Sequence, residues 1–285
     1  MTVITIGQRK GGVGKSTATL NLSCVLAEKG FRVLIIDLDD QQNTTMTTKV
    51  NNDDLVVRQA RSISSLVDSS KTIEDLLLKD DVTLNDVAVQ TAWQNVYILP
   101  SSANLSGAVK ALDSELGGHL VLSEKLRSSS DNEKFDFVLI DTSPSLNILV
   151  INALCASDYL FIPLSSKYFS MQGLKQTLES FQKVTGRLNP HLKLLGIAFV
   201  CHDKRHVLAN EVVEQIKGKY EDKLFKTLIG VNIKIEEAQV RKQSILEYSP
   251  EDRGAIQYRE LGEEVLKRVS TTEGTEEEKG GVQNG

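Results

Sequence analysis

The chain has 285 residues, of which 40% are hydrophobic and 25% charged, and it reads as globular, with length for one large domain or two small ones around a sizeable core. No apolar run reaches the roughly 18 residues that span a bilayer, and the start, MTVITIG, lacks the charged region and cleavage site of a secretory signal, so the cytoplasm is the expected compartment. The net charge of -5 argues mildly against nucleic acid as a partner without excluding a local basic face, and three cysteines far apart (Cys24, Cys155, Cys201) suit reduced thiols better than a disulfide framework.

In chain order, TVITIG (2–7) reads as a strand and runs directly into QRKGGVGKST (8–17). A helical pattern over 15–29 stops at Gly30, and RVLIIDLD (32–39) is a second strand. The polar, Ser/Asn/Asp-rich segment 49–71 reads as a surface insertion. Strands are then expected at 95–100, 135–141, 158–164, 192–200 and 224–230, with helices over 104–116 ending at Gly117, 172–185 ending at Gly186, 206–219 and 254–269. Runs such as VLII and FVLI are apolar at nearly every position, as in strands covered on both faces of a parallel sheet. Strands alternating with helices predict a single doubly wound α/β domain over 1–269, with ligand loops at the carboxyl ends of its strands. Residues 270–285 have almost no apolar side chains and read as a disordered acidic tail.

The stretch 8–17 is a phosphate-binding loop with an anomaly. The common pattern G-x-x-x-x-G-K-[ST], anchored on Gly14, Lys15 and Ser16, wants a glycine where Arg9 stands, and an extra lysine, Lys10, follows it. A plain glycine turn would leave the coincidence of two lysines, three glycines and Ser-Thr at a strand-to-helix junction unexplained. Backbone N–H groups from Gly11, Gly12, Val13, Gly14, Lys15, Ser16 and Thr17 can converge on phosphate oxygens where the helix dipole is positive. Lys15 would hold the β and γ phosphates, and the Ser16 hydroxyl would ligate Mg²⁺. Two strands end in acids, Asp37 and Asp39 on one and Asp141 on another. Such acids can simply solvate a strand end, but three at one sheet edge suit a magnesium site, with Asp37 and Asp141 acting through water more than by direct ligation. Asp39 is the candidate to orient the attacking water.

KGGVGKST, VLIIDLDDQQN and FDFVLIDTSPSL together resemble the ParA/MinD family of deviant Walker A ATPases, and INALCASDYLFIPLSSKYFSMQGL and LIGVNIKIEEA extend the likeness over about residues 1–269. The resemblance is strongest to small, Soj-like ParA partition ATPases. It implies a P-loop NTPase using ATP and Mg²⁺, with Lys10 as the signature lysine that crosses a homodimer interface to the partner's nucleotide. Lys10, Lys15 and Asp39 would be its catalytic residues, and the alternative that Lys10 serves its own subunit stays open. The pattern also has departures. The family's Pro-Gln-Gly-Asn is Asp40, Gln41, Gln42 and Asn43 here, a Walker B proline is Ser143, a glutamate is Lys167, and a Pro-Arg-Asn triplet is Gly230, Val231 and Asn232.

Residues 183–242 hold 12 Lys/Arg against seven Asp/Glu, a local net charge of +5, which a solvated surface explains in part. By resemblance, Arg205 and Lys234 fall where ParA proteins bind double-stranded DNA without sequence preference, so nucleoid association and a ParB-type centromere-binding partner are expected. CHDKRH (201–206) has too few ligands for zinc, and the acidic end argues against a MinD-like membrane helix. The whole predicts an ATP-dependent DNA-partition ATPase. A positioner of a protein cargo, or an ATP-dependent ligase on the same fold, is the alternative.

Overall fold

A computed structural model describes residues 1–50, 71–128, 135–166 and 170–280; most of the expected insertion 49–71 therefore lies outside the described residues. Eight strands form one sheet in the order β3-β4-β2-β5-β1-β6-β7-β8: β1 (Thr2–Ile6), β2 (Val33–Leu38), β3 (Val89–Gln90), β4 (Val96–Leu99), β5 (Phe137–Thr142), β6 (Tyr159–Leu164), β7 (Lys193–His202) and β8 (Ile229–Gly230). Every pairing is parallel except that of β3, an antiparallel edge strand.

Burial on both faces explains the apolar runs. In β2, Val33 and Ile35 pack to one side with the first helix, α1 (Lys15–Glu28). Leu34, Ile36 and Leu38 pack to the other, into a cluster shared with the helices after β2. After the short α2 (Asn43–Thr47), those are α3 (Ile73–Leu78), α4 (Leu84–Val87), α5 (Leu105–Ser114) and α6 (Val121–Ser128), followed beyond β5 by α7 (Ile148–Ala156). The remaining helices are α8 (Ser170–Arg187), α9 (Val207–Tyr220), α10 (Ile233–Val240), α11 (Ile245–Tyr248) and α12 (Arg253–Gly280).

Three of the expected segments end or pair differently from the expectation. Helix α8 runs through Gly186 and ends at Arg187, because the stop is set by Asn189, whose amide donates to the carbonyls of Leu154, Cys155 and Ser157. Within 224–230 only Ile229–Gly230 is strand; the Glu264 carboxylate takes the backbone N–H groups of Lys226 and Thr227 and draws the chain off the sheet. Helix α12 continues to Gly280, through most of the expected acidic tail. Glu and Lys are good helix formers, and extending a packed helix avoids the cost of nucleating a new one.

Helices α1 and α12 approach closely: a Cβ at Gly262 would collide with Val25 Cγ1, and Val25 is fully buried. We therefore expect Gly262→Ala to destabilise the fold by about 1–3 kcal/mol through overpacking, despite the helix propensity gained, measured by urea denaturation. A neutral or stabilising substitution would show that the two helices move apart freely.

Candidate functional site: a phosphate loop over buried carboxylates

Three neighbouring strand ends assemble the site. β1 leads into residues 8–17, and α1 begins at Lys15 with Gly14 at its N-cap. Gly14 has φ +86°, and a Cβ there would sit 3.0 Å from Val200 Cγ2, so both the backbone conformation and the contact with β7 call for glycine. A groove of about 390 Å³ is lined by the loop from Gly11 to Thr17, by Asp39, Gln41, Asn43 and Thr47, and by Gln239 from α10. Gln239 donates to the Thr17 hydroxyl at 2.8 Å. Cavities elsewhere are larger, one of them about 750 Å³, but this groove adjoins the N-terminus of α1, where unpaired backbone N–H groups favour an anion.

Beneath the loop lie the carboxylates. Asp37 and Asp141 are side by side in the register of β2 and β5, and both are fully buried. Asp37 is saturated: Oδ2 accepts the Thr45 backbone N–H and hydroxyl, each at 2.7 Å, while Oδ1 accepts the Asp39 N–H at 3.1 Å. Asp141 Oδ2 accepts the Thr44 hydroxyl at 2.6 Å, and its Oδ1 is buried without a hydrogen-bond partner among the described residues. Burial, reinforced by the neighbouring Asp141, raises the Asp37 carboxyl to about 7. Burial likewise raises Asp141 and Asp39, with Ser16 opposing it at Asp141, and with the Gln41 N–H and Lys15 opposing it at Asp39. Lys15 is the counter-charge. Burial holds its ammonium below the usual lysine range, while Asp141 and Asp39 pull the other way.

The unsatisfied Asp141 Oδ1 and the Ser16 hydroxyl beside that carboxyl are hard oxygen donors of the kind magnesium takes. Among the described residues no group of three His, Cys, Asp or Glu side chains could hold a metal unaided. Such a site fits an ion whose shell is completed by phosphate and water.

Comparison with known proteins agrees with this geometry. A family model described as an AAA domain matches residues 1–194. Soj of Bacillus subtilis, a sporulation initiation inhibitor protein, is 34% identical over 92% of this chain and 97% of its own length. The chromosome partitioning protein ParA of Caulobacter vibrioides is 33% identical over 93% and 94%. The chain belongs to the ParA/MinD family of deviant Walker ATPases. Among solved structures, cobyrinic acid a,c-diamide synthase from Mycobacterium smegmatis, with bound ATP analog and magnesium, has a TM-score of 0.77 at 27% identity, covering 95% of this chain and 97% of that one.

Against the family pattern, Gln42 stands where a glycine is usual yet keeps a left-handed conformation, φ 55°, at the N-cap of α2. That costs a non-glycine residue about 1 kcal/mol. It is held there by the grip of Asp37 and Asp141 on Thr45 and Thr44, two residues that the sequence patterns did not single out. Gln239 and the α8 residue Thr177, which contacts Gln8 and Arg9, carry no local signal, and Gly173 entered only as part of the family-like stretch 151–174.

Five of the twelve cations of 183–242 lie toward one or the other end of β7. Lys193, Lys223 and Lys226 line the cavity of about 750 Å³ with Lys267 and Arg268, at the amino end of β7. Arg205 and Lys234 lie at the carboxyl end, where the Val231 N–H donates to the His202 carbonyl. Both have acidic partners: Arg205 forks onto Asp203 at 2.9 and 2.7 Å, and Lys234 lies 3.3 Å from Asp252. Among the described residues no helix is long and apolar enough to cross a membrane.

The raised Asp37 carboxyl has a pH consequence with a definite sign. An unfolded aspartate titrates near 3.9. Between about pH 4 and pH 7 the folded chain binds more protons than the unfolded one, so its stability falls as pH rises through that window. Asp37→Asn should therefore gain on the wild type by on the order of 2 kcal/mol between pH 5 and pH 8, read from urea denaturation without nucleotide or metal. A pH-independent difference would mean that Asp37 is ionised throughout.

Proposed function

We propose that this chain is an ATP-dependent DNA-partition ATPase. It binds ATP with Mg²⁺, closes face to face on a second copy, holds double-stranded DNA without sequence preference, and releases it when a ParB-type centromere-binding partner stimulates hydrolysis. Nucleoid association in the cytoplasm follows from that cycle. The observation that carries the reading is the contrast between two lysines of one loop. Lys15 is 7% exposed inside the groove beside Asp39 and Asp141, whereas Lys10 stands half-buried outside the groove's lining. The likeness to ParA and Soj over more than nine-tenths of the chain supports the same reading.

In this mechanism the N–H groups of Gly11 to Thr17 and the Lys15 ammonium bind the phosphates, replacing the water that burial has taken from Lys15. Ser16 and Asp141 would hold magnesium, with Asp37 behind them bracing α2 through Thr45, and the ion would supply positive charge against the phosphates. Asp39, on the rim of the groove, orients the attacking water. Lys10 reaches the nucleotide of the second copy, offsetting the charge that two facing ATP molecules bring into a water-excluded interface.

A second reading, an ATP-dependent amide synthase, is favoured by the TM-score of 0.77 to cobyrinic acid a,c-diamide synthase. ATP hydrolysis stimulated by DNA in the absence of any acceptor substrate separates the two.

Two outcomes are expected. Lys15→Ala abolishes ATP binding by a fluorescent analogue, while Lys10→Ala retains it within severalfold but weakens the dimer formed with a nonhydrolysable analogue by on the order of a hundredfold, by sedimentation. Equal loss of nucleotide in both would remove the division of labour. Arg205→Glu, alone or with Lys234→Glu, weakens the ATP-loaded dimer on unrelated duplexes. Deleting one phosphate contact per protomer flattens the slope of log affinity against log salt by about 2. An unchanged slope, with dimerisation intact, would make these two residues a solvated face.

A further inference from the structure

Residues 8–10 run along the first turns of α8, and the contact between them is built of buried polar groups. Up to Gly7 the chain belongs to the sheet, the Gly7 N–H donating to the Phe161 carbonyl at 3.0 Å; from Gly14 it belongs to α1. Between these anchors, the Thr177 hydroxyl accepts the Arg9 N–H at 3.0 Å. The same oxygen lies 2.8 Å from Gln8 Oε1 and 2.7 Å from the Gly173 carbonyl, to one of which its single proton goes. Gln8 and Thr177 are 2% and 6% exposed. This bond also shows how arginine is accommodated in place of glycine: the Arg9 backbone is tied inward while its side chain stays exposed.

Gly173 is where helix and arm come nearest. A Cβ there would lie 3.0 Å from Gln8 Oε1 and 3.1 Å from Lys10 Cβ. The amide end of Gln8 can swing aside, but Lys10 Cβ cannot yield without moving the Lys10 backbone. The absence of a side chain at Gly173 therefore sets where Lys10 starts.

We propose that Thr177 and Gly173 are positioning residues for Lys10, holding the arm 8–10 so that its ammonium is presented to the nucleotide of a second copy. The inference rests on the reading of Lys10 as a lysine that acts across a dimer. A lysine on an unanchored loop would have to be ordered at every closure, and an arm already fixed by α8 avoids that cost. Neither residue lines the groove that would hold the chain's own phosphates, so their effect on dimerisation is separable from any effect on nucleotide affinity.

The test uses the full chain carrying Thr177→Val, Gly173→Ala or Thr177→Ser, each alone, and Thr177→Val combined with Lys10→Ala. Affinity for a fluorescent ATP analogue and the dimer dissociation constant with a nonhydrolysable analogue are both measured. Thr177→Val and Gly173→Ala are expected to keep nucleotide affinity within about twofold and to weaken the dimer at least tenfold, with Thr177→Ser restoring it. Because Thr177 acts through Lys10, the double variant should be no weaker than Lys10→Ala alone. A dimer of wild-type strength in Thr177→Val, an equal loss of nucleotide binding, or a loss additive to that of Lys10→Ala would each overturn the proposal. If Lys10→Ala itself dimerises normally, the reading of Lys10 across the interface falls and this inference with it. If Lys10→Ala fails and Thr177→Val does not, the positioning role alone falls.

Discussion

Two carboxylates buried side by side, Asp37 and Asp141, with one buried lysine above them, are the constraint on which the site depends. Like charges in a water-excluded position cannot both ionise cheaply, and burial lifts both groups accordingly. Lys15 is desolvated in the same place and is pushed the opposite way. Burial thus works against the charge of both the acids and the lysine. A phosphate chain answers the lysine and a hard cation answers Asp141, which is the chemical sense of a loop that takes nucleotide and metal together.

The same carboxylates shape the loop that follows β2. Asp37 is consumed by Thr45 and the Asp39 backbone, and Asp141 takes Thr44, so α2 is fastened to the floor of the groove from two strands. That fastening keeps Gln42 in a conformation natural to glycine. It also delivers Asp39, Gln41, Asn43 and Thr47 to the groove wall, while Ser101 holds the Asp39 carbonyl at 2.8 Å. Strand-end acids that looked alike in sequence therefore take different positions: Asp37 is hydrogen-bonded through both oxygens, Asp141 has a buried oxygen without a partner among the described residues, and Asp39 lines the groove.

Most of the sheet was legible because strands covered on both faces are apolar at nearly every position, and seven expected strands fall on observed ones. What escaped was short or uniformly apolar. Helix α7, ILVINALCA, buries Leu149, Val150, Ala153, Leu154 and Cys155, leaving no polar stripe to mark a helical period. Helices α3 and α4 have only six and four residues, and their capping boxes, Thr72 with Asp75 and Thr83 with Asp86, use aspartate at the third position where glutamate or glutamine is the usual marker.

The sequence by itself determined the phosphate loop, the acids at the strand ends, the parallel α/β order and the family. Each of these is local: a spacing of glycines and lysines, or an apolar run with a charge at its end. Tertiary structure alone decided which carboxylate has an oxygen without a partner among the described residues, which helix contacts residues 8–10, and that Lys193, Lys223 and Lys226 lie at one end of β7 and Arg205 and Lys234 at the other. Those depend on contacts between residues as far apart as Arg9 and Thr177 or Thr44 and Asp141. Burial and register set such contacts, and no periodicity along one segment encodes them.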